Sequence, residues 1–434
     1  MRVHRTPRND DGCGWVAALA APPAPRALTS RQRADCVVVG AGFTGLAIAR
    51  ELATRRPEWR VILVEAQRVG VGASGRNSGF VVDVPHYDPK RGVEEARRLA
   101  RLGRAGLRQL RSLVHQHAIA CDWTERGRLH AAANDAGMRD LETFRQGLDL
   151  MGEPYEWLER SALVAMTGSS AYRAGLRTPG AALMQPAALV RGLSATLPAN
   201  VHLYEESPVR AIHRSQKFSV ETAEGSVITD RLFLGTNGYT ASLGFLRRRI
   251  FPLMTFASLT RPLSSAEQAA LGGESAWGLI SEAPMGTTVR RTPDQRILIR
   301  NTVRYASRLT VGDRDWHRIR ENHRRAFESR FPMLTQVGFE YTWGGVMGAS
   351  INGATFFGQL DEHLFVVAGY NGVGVAMGTV AGTLLADVAL GVESDLLHDL
   401  RNLRGPGWIP PEPLLGIGVR LTLASMTRRV REEQ

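Results

Sequence analysis

Three glycines with a characteristic spacing are the clearest sign of chemistry in this chain. Gly40, Gly42 and Gly45 follow the apolar run 37–39 and precede a helical pattern, so they lie on a strand-to-helix turn. Gly40 permits the tight turn, Gly42 lets a phosphate approach the backbone, and Gly45 lets the helix pack closely on the strand. The turn therefore indicates a nucleotide pyrophosphate site at a helix N-terminus.

A carboxylate further along the chain supports this interpretation. Glu65 lies near the end of the next apolar segment, 61–66. It follows Gly45 by about 20 residues, where an acid accepts hydrogen bonds from a nucleotide ribose. Its charge favours an unphosphorylated ribose over a 2′-phosphate. A βαβ unit whose glycines bind no nucleotide is the alternative that these residues leave open.

The loop 70–79, with the sequence GVGASGRNSG, favours FAD over NAD. A plain NAD-binding unit would continue into its next βα repeat, whereas this chain enters a loop rich in glycine and small hydroxyl residues. From this loop onward the chain resembles the FAD-dependent D-amino-acid oxidase superfamily. The similarity is greatest to its glycine oxidase, sarcosine oxidase and gamma-glutamylputrescine oxidoreductase branch.

The resemblance implies an FAD site assembled from separate segments of the chain. It also implies non-covalent FAD, because no Cys or His can be matched to the attachment residues of the covalent relatives. The implied FAD-binding residues are Gly40, Ala41, Gly42, Phe43, Thr44, Gly45, Glu65, Ala73, Ser74, Arg76, Asn77, Ser78, Gly79, Val209, Thr236, Asn237, Trp343, Gly369, Gly372, Val373, Gly374 and Val375.

A second glycine-rich turn follows the apolar strand 364–367 and precedes a small-residue helix over 374–389. In the family this turn faces the flavin pyrimidine edge, where the positive end of the helix dipole stabilises the reduced, anionic flavin. Val373 stands where many relatives have His, so one hydrogen-bond donor of those relatives is absent here. A phosphate-binding turn or a packing turn is the alternative.

The segment 287–305 contains the candidate substrate-binding residues. It is predicted to form a hairpin with its turn at Pro293 and Asp294. The resemblance places this hairpin in a sheet over the flavin, where several relatives hold a substrate carboxylate with an arginine. Arg290 and Arg300 suit that task because a guanidinium matches a carboxylate or phosphonate bidentately. Solvent-facing strand arginines are the alternative.

The sequence does not indicate which residue is the proton acceptor. Tyr305, Tyr370 and His86 are candidates near the flavin, and Tyr305 is also a candidate for substrate binding. Each one taken singly is as consistent with a structural role. We find no Ser/His/Asp set and no metal-binding motif, so we expect no metal and assign the redox chemistry to the flavin.

These motifs predict an α/β fold, α+β overall. A Rossmann-like FAD-binding domain of the glutathione-reductase type is expected together with an antiparallel-sheet substrate domain. The predicted FAD-binding domain is discontinuous. We expect an N-terminal extension over 1–30, the FAD-binding domain over 31–84, 181–240 and 343–434, and the substrate domain over 85–180 and 241–342.

Composition excludes several other classes of protein. The net charge of +12 comes almost entirely from dispersed arginines, without the basic, aromatic-interleaved stripe of a nucleic-acid-binding protein. The three cysteines are too few for a disulfide framework. No apolar run is long enough to span a bilayer, and the N-terminus is a poor secretory signal. We therefore expect a cytoplasmic protein without stable membrane insertion, of unassigned oligomeric state.

The function predicted from the resemblance is oxidation of a C–N bond in an amine or amino acid. Hydride passes to flavin N5, and the imine product is hydrolysed. The substrate would be a small amine carrying a carboxylate or phosphonate, and the electron acceptor would be oxygen or a carrier. Two alternatives remain open: tailoring of a larger specialised metabolite, or a flavin-binding subunit of a hetero-oligomeric dehydrogenase.

Overall fold

Two sheets organise the computed structural model, which describes Val3 and residues 5–9, 12–283 and 285–429. The strands are β1 (Arg31–Val39), β2 (Val61–Val64), β3 (Phe80–Val81), β4 (Arg128–Ala132), β5 (Glu156–Glu159), β6 (Ala174–Thr178), β7 (Ala182–Leu183), β8 (Val201–Tyr204), β9 (Ala211–Arg214), β10 (Phe218–Glu221), β11 (Ser226–Leu234), β12 (Phe251–Thr260), β13 (Trp277–Ser281), β14 (Thr288–Arg291), β15 (Ile297–Tyr305), β16 (Phe339–Ala349), β17 (Phe356–Asp361) and β18 (Leu364–Ala368).

Helices cover the faces of both sheets. They are α1 (Gly14–Ala17), α2 (Phe43–Arg55), α3 (Ala73–Arg76), α4 (Val93–Gln116), α5 (Asp135–Met151), α6 (Arg160–Thr167), α7 (Pro186–Ala195), α8 (Ser265–Leu271), α9 (Asp313–Arg330), α10 (Ala376–Leu390), α11 (Asp395–Arg401) and α12 (Leu414–Arg429). Among the residues described, no helix is both long and apolar enough to cross a membrane.

The first sheet has a parallel centre in the order β18-β11-β1-β2-β8. Its centre contains short apolar runs such as 36–39 of β1 and 61–64 of β2, which are buried as expected for strands covered on both faces. In register, Val39 pairs with Val64 on one side and with Leu234 on the other, so the carboxyl ends of these strands meet at one edge. Ligands of open parallel sheets bind beyond such an edge.

Helices α2 and α10 pack against this sheet, and α4 packs on α10. Glycines allow the helices to approach closely. A Cβ on Gly382 of α10 would lie 2.5 Å from the Thr44 carbonyl oxygen, and a Cβ on Gly106 of α4 would lie 2.1 Å from that of Ala376. The arginine-rich helix α4 therefore packs on α10 with its apolar stripe and leaves its charged faces outward, as the sequence pattern indicates.

The second sheet has the order β16-β12-β15-β14-β13-β4-β6-β5 and is antiparallel except for the parallel pair β4 and β13. The α/β fold class with two sheets is confirmed. Strand β16 spans 339–349 and belongs to this second sheet. The predicted domain boundary at 343 therefore falls inside a strand, because β16 begins before that residue and continues past it.

The N-terminal segment is part of the folded body. Trp15 of α1 is buried and packs in a cluster with Leu259, Leu298 and Trp343. The Gln185 side chain donates a hydrogen bond of 2.6 Å to the Trp15 carbonyl oxygen. Part of the predicted extension over 1–30, around Trp15, thus contributes to a core cluster with residues of the second sheet. Patterning missed this because α1 is only four residues long.

Candidate active site

The first glycine turn has the predicted geometry. Gly40 has φ +97°, and its amide donates to the Val64 carbonyl at 2.8 Å. A Cβ on Gly45 would lie 1.7 Å from the Gly40 carbonyl oxygen, so only glycine fits there. Helix α2 begins at Phe43 without a side-chain cap. Its N-terminus adjoins the edge of a cavity of about 380 Å³.

Glu65 lies directly after β2 and lines this cavity. Its carboxylate accepts hydrogen bonds from the amides of Ala41 at 2.8 Å and Gln67 at 3.1 Å. Burial raises the pKa of Glu65, and these amide hydrogen bonds act against that increase. The acid is thus held beside the glycine turn, at the place where the sequence predicts a nucleotide ribose.

The loop after β2 folds back over the turn through α3. Ser74 Oγ accepts a hydrogen bond of 3.1 Å from the Phe43 amide, and a Cβ on Gly42 would lie 2.5 Å from that oxygen. Arg76 is buried and donates to the carbonyls of Val71 at 2.7 Å and Gly344 at 3.0 Å. The loop is therefore rigid and joins the first sheet to the second.

The second glycine turn closes the other side of the cavity. Gly372 has φ +100°, and helix α10 begins at Ala376, two residues later than predicted, again without a side-chain cap. The Asn237 side chain accepts a hydrogen bond of 3.0 Å from the Gly369 amide. The N-termini of α2 and α10 thus adjoin one cavity.

Most predicted FAD-binding residues line this cavity. The lining residues are Gly40, Ala41, Gly42, Phe43, Thr44, Glu65, Ala73, Ser74, Arg76, Asn77, Ser78, Val209, Thr236, Asn237, Gly372, Val373, Gly374 and Val375. Gly45, Gly79, Trp343 and Gly369 do not line it and support it from behind. The buried Trp343 indole, for example, donates a hydrogen bond of 3.0 Å to the Arg76 carbonyl.

The candidate substrate residues separate into two groups. Arg300 lines the cavity beside Thr288, its partner across the β14–β15 ladder. Arg290 lies on the same face of β14 as Thr288 but outside the cavity. Its guanidinium donates a hydrogen bond of 2.6 Å to the Met184 carbonyl and lies over the Trp15 ring. Burial lowers the pKa of Arg290 to about 10. This placement corrects the prediction that Arg290 binds substrate.

Tyr305 also lies outside the cavity. Its hydroxyl donates to Glu412 beside α12, and burial raises its pKa. The catalytic and substrate-binding roles predicted for Tyr305 are corrected by this position at the far end of β15. Tyr370 does line the cavity, with its hydroxyl 2.7 Å from Thr44 Oγ1, and His86 lines it as well.

The structure adds lining residues that the sequence did not suggest. Arg128 of β4 reaches the cavity from a strand without a motif. The N-terminal residues Val3, Arg5, Thr6, Pro7 and Asn9 also line it. The Asn9 side chain donates a hydrogen bond of 2.9 Å to the Gln67 side chain, close to Glu65. No local pattern predicts these contacts, because they join segments far apart in the chain.

The chain matches a family model described as FAD dependent oxidoreductase (DAO) over residues 35–388. It belongs to this family. This FAD-dependent oxidoreductase is 28% identical over 366 residues to the gamma-glutamylputrescine oxidoreductase of Escherichia coli, covering 82% of this chain and 84% of that protein. It is 28% identical over 388 residues to the protein named probable oxidoreductase OrdL of Haemophilus influenzae, covering 85% and 86%.

The crystal structure of glycine oxidase from Geobacillus kaustophilus has the same fold. The two superpose with a TM-score of 0.69 at 22% identity, over 84% of this chain and 96% of that one. The predicted membership in the amine and amino-acid oxidase group of FAD enzymes is confirmed by these relatives.

The residues present fit FAD. The cradle between Gly42 and Ser74 would be filled by a Cβ, and the helix N-termini beside it have no side-chain caps. Both features suit a pyrophosphate and an anionic ring. Glu65 would hold the ribose, and the turn 372–375 would lie at the flavin. Bound there, FAD supplies the two-electron acceptor that no side chain of the protein can replace.

Proposed function

We propose that this enzyme oxidises the C–N bond of a small amine or amino acid that carries a carboxylate or phosphonate. The observation that carries the proposal is Arg300. Its side chain lines the cavity, yet its guanidinium has no hydrogen bond or ion pair to any described residue. Burial lowers its pKa, and no neighbouring carboxylate opposes that effect. A guanidinium in this setting favours an anionic ligand.

The neighbouring Arg128 provides the contrast. Its guanidinium donates hydrogen bonds to His130 at 2.8 Å and to the Val84 carbonyl at 2.9 Å. Although burial lowers its pKa, the carboxylates of Glu282 and Asp83 act in the opposite direction. The charge of Arg128 is thus balanced within the protein, and that of Arg300 is left for a ligand.

Relatives support the amine as the other half of the substrate. The gamma-glutamylputrescine oxidoreductase and glycine oxidase relatives are named for an amine and an amino acid. In this enzyme Arg300 would bind the anionic group and orient the α-carbon, so that its hydride leaves toward the flavin. Orientation of this kind contributes several kcal/mol to catalysis, roughly 7 to 11 in favourable cases.

Anaerobic loss of flavin absorbance tests the proposal with matched pairs of amines. N-methylglycine would be compared with N-methylethanolamine, and aminomethylphosphonate with ethylamine, so that each pair differs mainly in the anionic group. We expect bleaching by at least one amine that carries an anionic group and much slower bleaching by its partner without that group. Equal rates within every pair, or bleaching by none of a wide panel of amines, would contradict the proposal.

A further inference from the structure

A chain of hydrogen bonds behind the cavity ends at His86. Arg128 Nε donates to His130 Nε2 at 2.8 Å, His130 Nδ1 contacts Glu282 Oε1, and His86 Nδ1 lies 2.7 Å from Glu282 Oε2. Arg128, His130 and Glu282 are buried, whereas the His86 side chain is 46% exposed and lines the cavity. Three strands or loops distant in sequence build this arrangement.

The proton positions follow from the donors. Arginine can only donate, so His130 Nε2 must accept and His130 Nδ1 must carry the proton that goes to Glu282. Burial, and next the charge of Arg128, lowers the pKa of His130 to about 4, which keeps it neutral. Burial tends to raise the pKa of Glu282, but His86 and His130 outweigh it and lower that pKa.

Glu282 is therefore an ionised carboxylate that accepts a hydrogen bond from His86 Nδ1. This leaves His86 Nε2 as the free nitrogen of a ring that lines the cavity. A carboxylate on the opposite nitrogen holds the ring orientation and stabilises the imidazolium that forms when Nε2 takes a proton. The same carboxylate is fixed on its other oxygen by His130.

Other titratable side chains of the described cavity lining are unsuited to accept a proton. The arginines stay protonated, and burial raises the pKa of Tyr239 to about 12 and raises that of Tyr370 further. Glu65 accepts hydrogen bonds from two backbone amides at the glycine turn. His86 is the one histidine among these residues, and no lysine or cysteine is among them. The arginines concerned are Arg5, Arg68, Arg76, Arg128 and Arg300.

We propose that His86 accepts the proton of the substrate ammonium and so generates the neutral amine from which hydride can leave. The inference rests on the proposed function. An N–H bond of the ammonium breaks, the proton binds His86 Nε2, and the electron pair stays on the amine nitrogen. Glu282 balances the charge of the imidazolium. Glu282 and His130 act through His86 and are positioning residues.

The surroundings of His86 determine which groups can contribute to its pH dependence. Glu282 contacts it from the segment after β13, and His130 of β4 faces it and is itself bonded to Arg128. Phe144 of α5 packs against it with ring centroids 6.1 Å apart and carries no charge. Asp83 acts on the cluster through Arg128. Of these groups, His86 and Arg128 line the cavity, and an arginine can only donate hydrogen bonds.

Anaerobic stopped-flow reduction by N-methylglycine, followed from about pH 6 to about pH 10, tests the proposal. The wild-type rate should rise with pH through one ionisation. His86→Gln keeps a donor toward Glu282 but cannot take a proton. Its rate should fall by roughly 100-fold at neutral pH and approach the wild-type rate at high pH, where free amine is abundant. A uniform loss at all pH values, or an unchanged profile, would overturn the proposal.

Two further variants separate proton transfer from structure. Glu282→Gln removes the charge that stabilises the imidazolium, so the rise in rate should move to lower pH with FAD content unchanged. His317→Gln is the matched control, because His317 pairs with Glu321 at 3.3 Å on the surface of α9, with its side chain 76% exposed. It should keep the wild-type profile. Glu282→Gln with the wild-type inflection would count against the positioning role.

Binding of acetate, followed through the flavin spectrum, gives a readout that needs no turnover. Acetate should bind wild-type enzyme more tightly below the ionisation of His86, because a second cation then faces the ligand, and His86→Gln should lack that inflection. An inflection retained in His86→Gln would overturn the proton-acceptor role of His86 and leave the proposed function intact. If acetate binding shows the inflection but no amine bleaches the wild-type flavin, the proposed function fails and the proton-acceptor role fails with it.

Discussion

The carboxylate of Glu65 accepts a 2.8 Å hydrogen bond from the amide of Ala41, and so links the end of β2 to the glycine turn after β1. The two parallel strands end side by side, which brings the acid and the turn to one edge of the sheet. Each carboxylate oxygen can accept a further hydrogen bond. The carboxylate held at this edge can therefore also accept hydrogen bonds from a ribose.

Replacement of Glu65 tests this arrangement. Glu65→Gln keeps hydrogen-bonding capacity but removes the charge, so FAD affinity should fall by about 1 kcal/mol. Glu65→Arg should weaken FAD binding more, because it reverses the charge and fills the space. Equilibrium titration of the apoprotein with FAD measures both. Unchanged affinity in both variants would remove Glu65 from the FAD site.

The packing of Gly45 against Gly40 gives a second prediction. A methyl group at Gly45 would lie 1.7 Å from a backbone oxygen, so Gly45→Ala should displace α2 from β1 and lower both stability and FAD content. A loss of about 2 kcal/mol or more is expected. Gly338→Ala, where no atom lies within 4 Å of the added carbon, is the control. Thermal unfolding and flavin content should distinguish the two variants.

Attachment of the flavin should be non-covalent. The cysteines Cys13, Cys36 and Cys121 are buried, none is in a disulfide and none lines the cavity. Acid precipitation of the holoenzyme should therefore leave yellow FAD, rather than FMN, in the supernatant. Flavin retained in the protein pellet would show a covalent bond that this arrangement does not provide.

Stability should fall on acidification through His323, a buried residue whose Nδ1 lies 2.7 Å from Ser258 Oγ. Burial lowers the pKa of His323 from 6.5 to about 4. Between these values the unfolded chain binds the proton and the folded chain does not, so stability decreases as pH falls through this window. His323→Gln should reduce that decrease by up to about 3 kcal/mol. Denaturant unfolding at several pH values measures it, and an unchanged slope would contradict the assignment.

Local sequence patterns predicted the strands and turns that position the cofactor. The glycine turn at Gly40, the acid Glu65 and the β14–β15 hairpin all lie where short-range spacing indicates, because each depends on neighbouring residues alone. The placement of Gly40 and Glu65 along one cavity also follows from the order of the parallel strands.

Local patterns could not predict which contacts a side chain makes with residues distant in sequence. Arg290 and Arg300 lie on paired strands of one hairpin. Arg290 contacts Trp15 and the Met184 carbonyl, whereas Arg300 lines the cavity. Glu282 meets His86 across 196 residues of chain. Contacts of this kind depend on the packing of the two sheets, which no local periodicity encodes.

The most direct test of the proposed function compares Arg300→Met with wild-type enzyme on one matched pair of amines. With N-methylglycine, Arg300→Met should weaken binding by roughly 2 to 4 kcal/mol in anaerobic flavin-reduction titrations, because a charge-assisted pair in a partly dry cavity is lost. With N-methylethanolamine the two enzymes should behave alike, as should the exposed-arginine control Arg308→Met with either amine. If Arg300→Met binds and oxidises N-methylglycine as wild-type enzyme does, Arg300 does not select an anionic amine, and the proposed function is contradicted.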